Sequence, residues 1–98
     1  MNESKYIALE PSIHFLVLMK KQRFNIIHLP FETPAKVVGI EGGPTVWERL
    51  NEVGLHLGDY IKVIRQAPLR GPLLVHCDGM EIAIGRHIAA KIFVQAPA

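Results

Sequence analysis

A single cysteine, Cys77, stands in the 98 residues of this chain. It has no internal partner for a disulfide, whereas small secreted domains of this size usually carry several. A reducing, cytosolic setting is therefore expected. Long apolar runs are missing too. The longest, 13–19, has seven residues and includes His14, while a membrane helix needs about 20. Lys20, Lys21 and Arg23 follow that run instead of preceding it, the reverse of a secretory signal. Direct membrane insertion is not expected. Charge of one sign is equally scarce: eleven basic against nine acidic side chains leave a formal charge of +2. A dedicated nucleic-acid binder draws most of its affinity from a basic stripe, so no nucleic-acid partner is expected.

Catalytic and metal signatures are absent as local patterns. No C-x-x-C or H-x-x-x-H spacing occurs among Cys77 and the five histidines, His14, His28, His56, His76 and His87. In "HCD", residues 76–78, a strand would point His76 and Asp78 away from Cys77, so the three cannot converge without a bend. A metal site assembled from distant residues or between two copies stays open beside the plainer reading of solvated surface histidines. Cys77 reads as a small buried hydrophobe and not as a nucleophile. No nucleophile, base and oxyanion-hole arrangement is recognisable. The expectation is a protein that is not an enzyme, with no catalytic residues, no resident metal and no cofactor.

What the chain does have is core material: 49% of its residues are apolar and 20% charged, enough for one folded domain. Residues 1–26 lack the turn signals that punctuate the remainder and read as an N-terminal appendage to a 27–98 domain. Met19, followed by "KKQRFNIIHLP", offers a second translation start, which would leave the first eighteen residues outside the natural product. The competing reading is a strand or helix packed on the domain. From Ala35 onward come short β-branched runs, "AKVVGIE", "DYIKVIRQ", "PLLVHC", "MEIAIG" and "AKIFV", divided by glycine and proline. These fit a small antiparallel barrel or sandwich. Asp78-Gly79 is a two-residue hairpin signal. It pairs Cys77 with Met80, Val75 with Ile82 and Leu73 with Ile84 on an apolar face, and His76 with Glu81 and Leu74 with Ala83 on the other.

"GIEGGP", residues 39–44, raises the question of a phosphate loop. A Walker A loop requires a lysine and a hydroxyl after its last glycine, but Pro44 and Thr45 follow Gly43. Thr45 and Glu48 have the spacing of a capping box. Val46, Leu50 and Val53 then form one apolar stripe, and Gly54 sits where a left-handed C′ residue belongs, with Leu55 able to touch Leu50. The glycines therefore read as a turn into a helix. Two features lack a full core explanation. Trp47 adjoins the helix stripe and reads either as a half-buried lid or as a partner contact. Leu69 and Arg70 tip the proline-bracketed loop "APLRGP", residues 67–72. Trp47, Leu69 and Arg70 are the candidate partner-binding residues.

Over 29–94, "LPFETPAKVVGIEGG", "RLNEVGLHLGDYIKVIRQAPLRGPLLV" and "MEIAIGRHIAAKIFV" resemble the FeoA family, small cytosolic proteins associated with the bacterial ferrous iron transporter FeoB. Arg49-Leu50, Gly54-Leu55, Gly58, Ala67-Pro68-Leu69 with Gly71-Pro72, and Ile84-Gly85-Arg86 with Ala89 carry the likeness together. The resemblance implies a mainly β, SH3-like five-stranded antiparallel barrel with one inserted α-helix and a short C-terminal helical turn. It also implies a non-enzymatic cytoplasmic accessory role in ferrous iron uptake, with the cytosolic GTPase region of a FeoB-type transporter as partner. Homo-oligomerisation stays open. The same fold resembles the C-terminal domain of DtxR-type iron-dependent repressors, and a metal-sensing or oligomerising SH3-like module is the alternative.

Overall fold

The computed structural model describes residues 23–95. They run β1 (Phe24–Asn25), a one-turn 3-10 helix (Ile26–His28), β2 (Ala35–Ile40), α1 (Gly43–Glu52), β3 (Tyr60–Gln66), β4 (Leu73–Cys77), β5 (Met80–Ile84), α2 (Arg86–Ala89) and β6 (Ile92–Gln95). All ladders are antiparallel, in the order β1-β6-β2-β3-β4-β5. The mainly β, SH3-like architecture with one inserted helix and a C-terminal helical turn is thus the observed one.

Among the described residues the strand count is six, one more than expected, because the two-residue β1 adds itself to β6 through Phe24–Val94 and Asn25–Phe93. Of the appendage expected over 1–26, residues 1–22 lie outside the described residues, as do the second start at Met19 and His14. Residues 23–26 run into the barrel. The Arg23 guanidinium lies 4.9 Å from the Phe93 ring centroid, the Asn25 side-chain amide donates to the Ala90 carbonyl, and Ile26 is wholly buried.

The alternation of strand residues decides what is inside. Leu73, Val75, Cys77, Ile82 and Ile84 from the β4–β5 hairpin join Ile61, Val63, Ala35, Val37, Ile92 and Val94 in one core. The hairpin has the expected register in all five pairs, from Leu73–Ile84 to Cys77–Met80. Asp78 and Gly79 both take positive φ, 52° and 79°, as a type I′ turn requires. Met80, beside the turn, points largely to solvent. Irregular register between Val37 and Gly39 and between Val63 and Arg65 bends β2 and β3, since an extra residue in a strand kinks it and increases its twist.

The helix differs from expectation at both ends. It begins at Gly43, before Thr45, and no side chain caps it, so the Thr45–Glu48 capping box does not form. Pro44 supplies a φ already suited to the first helical turn. Gly42, at φ 103°, makes the reversal, and a Cβ there would come within 2.7 Å of Val46 Cγ2 and 2.9 Å of Lys91 Cδ. At the far end Val53 is not part of the buried stripe: it is the C-cap and 48% exposed. Gly54, at φ 100°, turns the chain inward, and Leu55 takes the core position instead. The Leu55 and Gly54 amides donate to the Leu50 and Asn51 carbonyls at 2.9 and 3.1 Å, the two bonds of a Schellman cap.

Candidate interaction site

The 67–72 loop joins β3 to β4 and is closed by its own backbone. Ala67 N–H donates to the Pro72 carbonyl at 2.9 Å, and Gly71 N–H is shared between the carbonyls of Ala67 and Pro68 at 3.2 and 3.1 Å. The Gln66 side-chain amide reaches the Gly71 carbonyl at 3.4 Å. Between these ties Leu69 and Arg70 take φ of 60° and 59°. Two successive L residues in the left-handed region cost roughly 1–2 kcal/mol each, a strain that persists only where the surrounding structure over-determines it. The outcome is a fixed tip whose Leu69 side chain is 99% exposed.

Trp47 lies on α1. Its indole N–H donates to the Ile40 carbonyl at 3.0 Å, which holds the ring against the end of β2 while leaving it 36% exposed. Gly43, Pro44, Trp47, Glu48 and Asn51 line a groove of about 460 Å³ beside it. Among the described residues of that lining Glu48 is the only charged one. The structure does not bring Trp47 together with Leu69 and Arg70. Ala35 pairs with Ile61 and Lys36 with Tyr60, and β2 then continues past Tyr60, with Val37 bonding to the backbone of Asp59 and Gly58. Ile40 and Gln66 therefore lie at opposite ends of the β2–β3 ladder. The indole is tied to one end and the loop springs from the other.

Cys77 is wholly buried. Its thiol lies 3.7 Å from the Gly54 carbonyl and 3.6 Å from Asp59 Oδ2. The same carboxylate oxygen accepts the His56 backbone N–H at 2.8 Å and faces His56 Nδ1 at 3.3 Å. Sequence reasoning missed this turn, although Asp59 three residues after His56 has the spacing at which an aspartate side chain can accept from the backbone behind it. Burial, reinforced by the Asp59 carboxylate, pushes the Cys77 thiol up from 9.0 to about 11. The thiolate is the reactive species, so this cysteine is inert at neutral pH. The sign of the linkage is definite. Below pH 9.0 both folded and unfolded chains keep the proton. Between 9.0 and about 11 the unfolded chain loses it first, and stability falls as pH rises. Urea titrations across that window are expected to show a steeper alkaline loss for the wild type than for Cys77→Val, and equal slopes would refute the assignment.

Among the described residues no group of three His, Cys, Asp or Glu side chains is arranged to hold a metal ion. His76 sits in the β4 ladder between Lys62 of β3 and Glu81 of β5, apart from the inward-facing Cys77. Among the described residues no helix is long and apolar enough to cross a membrane.

Comparison with known proteins places this geometry. The FeoA domain model matches residues 28–96. A Methanocaldococcus jannaschii protein bearing the name Fe(2+) transport protein A is 39% identical over 56 residues, a match spanning 57% of this chain and 66% of that protein. The solution structure of the FeoA protein from Chlorobium tepidum superimposes with a TM-score of 0.69 at 35% identity, covering 76% of this chain and 71% of that one. A manganese-dependent transcriptional repressor shares the fold at a TM-score of 0.70 and 17% identity, over 76% of this chain and 42% of that one. That last likeness is of fold alone.

Proposed function

The chain belongs to the FeoA family, and on that premise we propose that it is a non-enzymatic, cytoplasmic accessory protein of ferrous iron uptake that docks on the cytosolic GTPase region of a FeoB-type transporter. The family works in ferrous iron transport and is not a known enzyme family. The observation that supports docking is the 67–72 loop: Leu69 is 99% exposed and Arg70 stands beside it, two side chains other than glycine or asparagine in the left-handed positions of the turn that Gly71 N–H closes on the Pro68 carbonyl. Strain kept on a surface tip points to recognition. An exposed apolar side chain next to an arginine has the composition of a binding hot spot once covered. Trp47 supplies a second contact from the other end of the β2–β3 ladder.

The test is capture of the isolated GTPase region by wild-type and Arg70→Glu protein. The variant is expected to lose capture while its melting temperature stays that of the wild type, because Arg70 lies outside the core. Undiminished capture removes Arg70 from the interface. Normal ferrous iron uptake by cells lacking the protein refutes the accessory role.

The second reading is a metal-sensing or oligomerising SH3-like module. Stoichiometric binding of ferrous or manganous ion by the purified chain would move the assignment there.

A further inference from the structure

Residues 13–19 carry six apolar side chains in seven positions, with Phe15 near the middle. They lie outside the described residues. An apolar run of this kind left in water is an aggregation hazard, and folded chains keep such runs covered. The described part offers a matching recess. A groove of about 140 Å³ runs between the C-terminal half of α1, β5 and α2, lined by Leu50, Val53, Ala83, Ile84 and Ile88 together with Arg49. An apolar cavity of roughly 150 Å³ admits a benzene ring, so one phenyl side chain fits. Ile88 is half-buried against the core and Ala83 is exposed. β5 ends the sheet order, and among the described residues no strand lies beyond it to cover this side.

We propose that the chain's own residues 13–19 occupy this groove, with the Phe15 ring set against Ala83 and Ile88 while Val53, across the groove on α1, keeps its outer side in water. The chain arrives beside it. The Asn25 side-chain amide donates to the Ala90 carbonyl, and the 3-10 turn that follows packs on α2, the helix that carries Ile88. Ten residues separate Asn25 from Phe15, a reach of up to about 33 Å when extended, whereas Ile88 stands two residues before Ala90 on the same helix. A short tether of this kind sets an effective concentration in the millimolar range, which a second copy or a separate partner at micromolar concentration does not match. The groove beside Trp47 is a poorer host. Glu48 and Asn51 in its lining would lose water beneath an apolar run without gaining a partner, and that costs free energy. In the Ile88 groove the single charged residue, Arg49, is exposed and keeps its water. The contact leaves the 67–72 loop and the Trp47 groove free, so it stands apart from transporter docking.

NOE spectroscopy of the purified full chain, with no transporter present, tests it. Cross-peaks from the Phe15 ring to the Ala83 and Ile88 methyl groups are expected, and an isotope-filtered spectrum of mixed labelled and unlabelled chains should show none of them between copies. Ala83→Asp puts a carboxylate on an exposed position of the groove wall and should remove the cross-peaks while the domain stays folded, which far-UV circular dichroism checks. Phe15→Asp is expected to lower the melting temperature by several degrees and to add little on top of Ala83→Asp, because two residues in contact do not act independently. A Phe15 ring with no cross-peak to either methyl overturns the proposal and leaves the groove to a separate partner. Cross-peaks to the Trp47 indole in their place, or contacts found only between copies, overturn it as well. So does a Phe15→Asp chain that melts like the wild type.

Discussion

At pH 7 a Val75→Asp chain is expected to be largely unfolded, while His76→Asp, one residue along, folds like the wild type. Val75 is fully buried, with Val63 of β3 on one side and Ile82 of β5 on the other. A carboxylate placed there is fully buried among apolar side chains. It would be held neutral, its pKa raised by several units as buried carboxylates are, and keeping it protonated at pH 7 costs about 4 kcal/mol. The lost valine packing adds to that. A domain of this size has a total stability of roughly 5–15 kcal/mol, so most of it would be consumed. A carboxyl with a raised folded pKa is least damaging below its unfolded pKa and most damaging as pH climbs through the folded one. The variant should therefore recover part of its stability toward pH 4. At His76 the side chain is half-buried on the opposite face, between Lys62 and Glu81. An aspartate there gains one partner and opposes another. Urea titrations at pH 7 and pH 4 measure both effects. If the two variants lose equal stability, the register is not the one described.

That contrast was legible in the sequence because a strand alternates strictly by two, and because Asp78-Gly79 fixes where the alternation reverses. Where a signal combines a period with a turn that pins its phase, as in β4 and β5, a single chain suffices to read it. The helix shows the limit. Its buried Val46 and Leu50 follow from the 3.6-residue period, but the spacing of Thr45 and Glu48 names a cap that competes with another way to start. Gly42 at positive φ and the fixed φ of Pro44 start the helix earlier, and Thr45 is then inside it. The glycine at 42 is itself required partly by a distant residue, since a Cβ there would meet Lys91 Cδ at 2.9 Å as well as Val46 Cγ2 of the same helix at 2.7 Å. The strand Phe24–Asn25 left no signal for a related reason: two residues carry no period, and their pairing with β6 is a long-range event.

The exposure of the candidate residues was legible in the sequence, and their arrangement was not. Two prolines and a glycine around Leu69 and Arg70 mark an exposed tip, and a lone tryptophan beside a helix stripe marks a side chain at the edge of the core. Their separation follows from the β2–β3 register, which starts at Ala35–Ile61 and carries β2 beyond Tyr60, and no composition or spacing encodes that offset. The indole bond to Ile40 likewise joins residues seven apart across the turn, a pairing that no local pattern marks. It leaves Trp47 half-buried, with its exposed side forming a wall of the groove.

Leu50→Ala is expected to destabilise the chain by roughly 2–5 kcal/mol, the range for truncating a buried leucine, and the cap that follows explains why the site cannot collapse to soften the loss. Leu50 is 3% exposed, and its carbonyl accepts the Leu55 amide at 2.9 Å, so the helix end and the buried Leu55 are fixed to the backbone that carries the missing side chain. Gly54→Ala attacks the same joint from the backbone. At φ 100° an alanine is strained, and its Cβ would stand 2.5 Å from Met80 Cε. That thioether end is flexible and can move, so the strain dominates, at about 1 kcal/mol or more. Val53→Ala provides the contrast. The stripe read from sequence would make Val53 a core residue with a core residue's penalty, whereas the exposed C-cap seen here predicts a change within about 0.5 kcal/mol. Denaturant titration of the three variants separates the alternatives. A large loss at Val53 with little at Leu50 would mean the helix is rotated from the orientation described, and the Schellman hydrogen bonds at Gly54 and Leu55 would have to be abandoned with it.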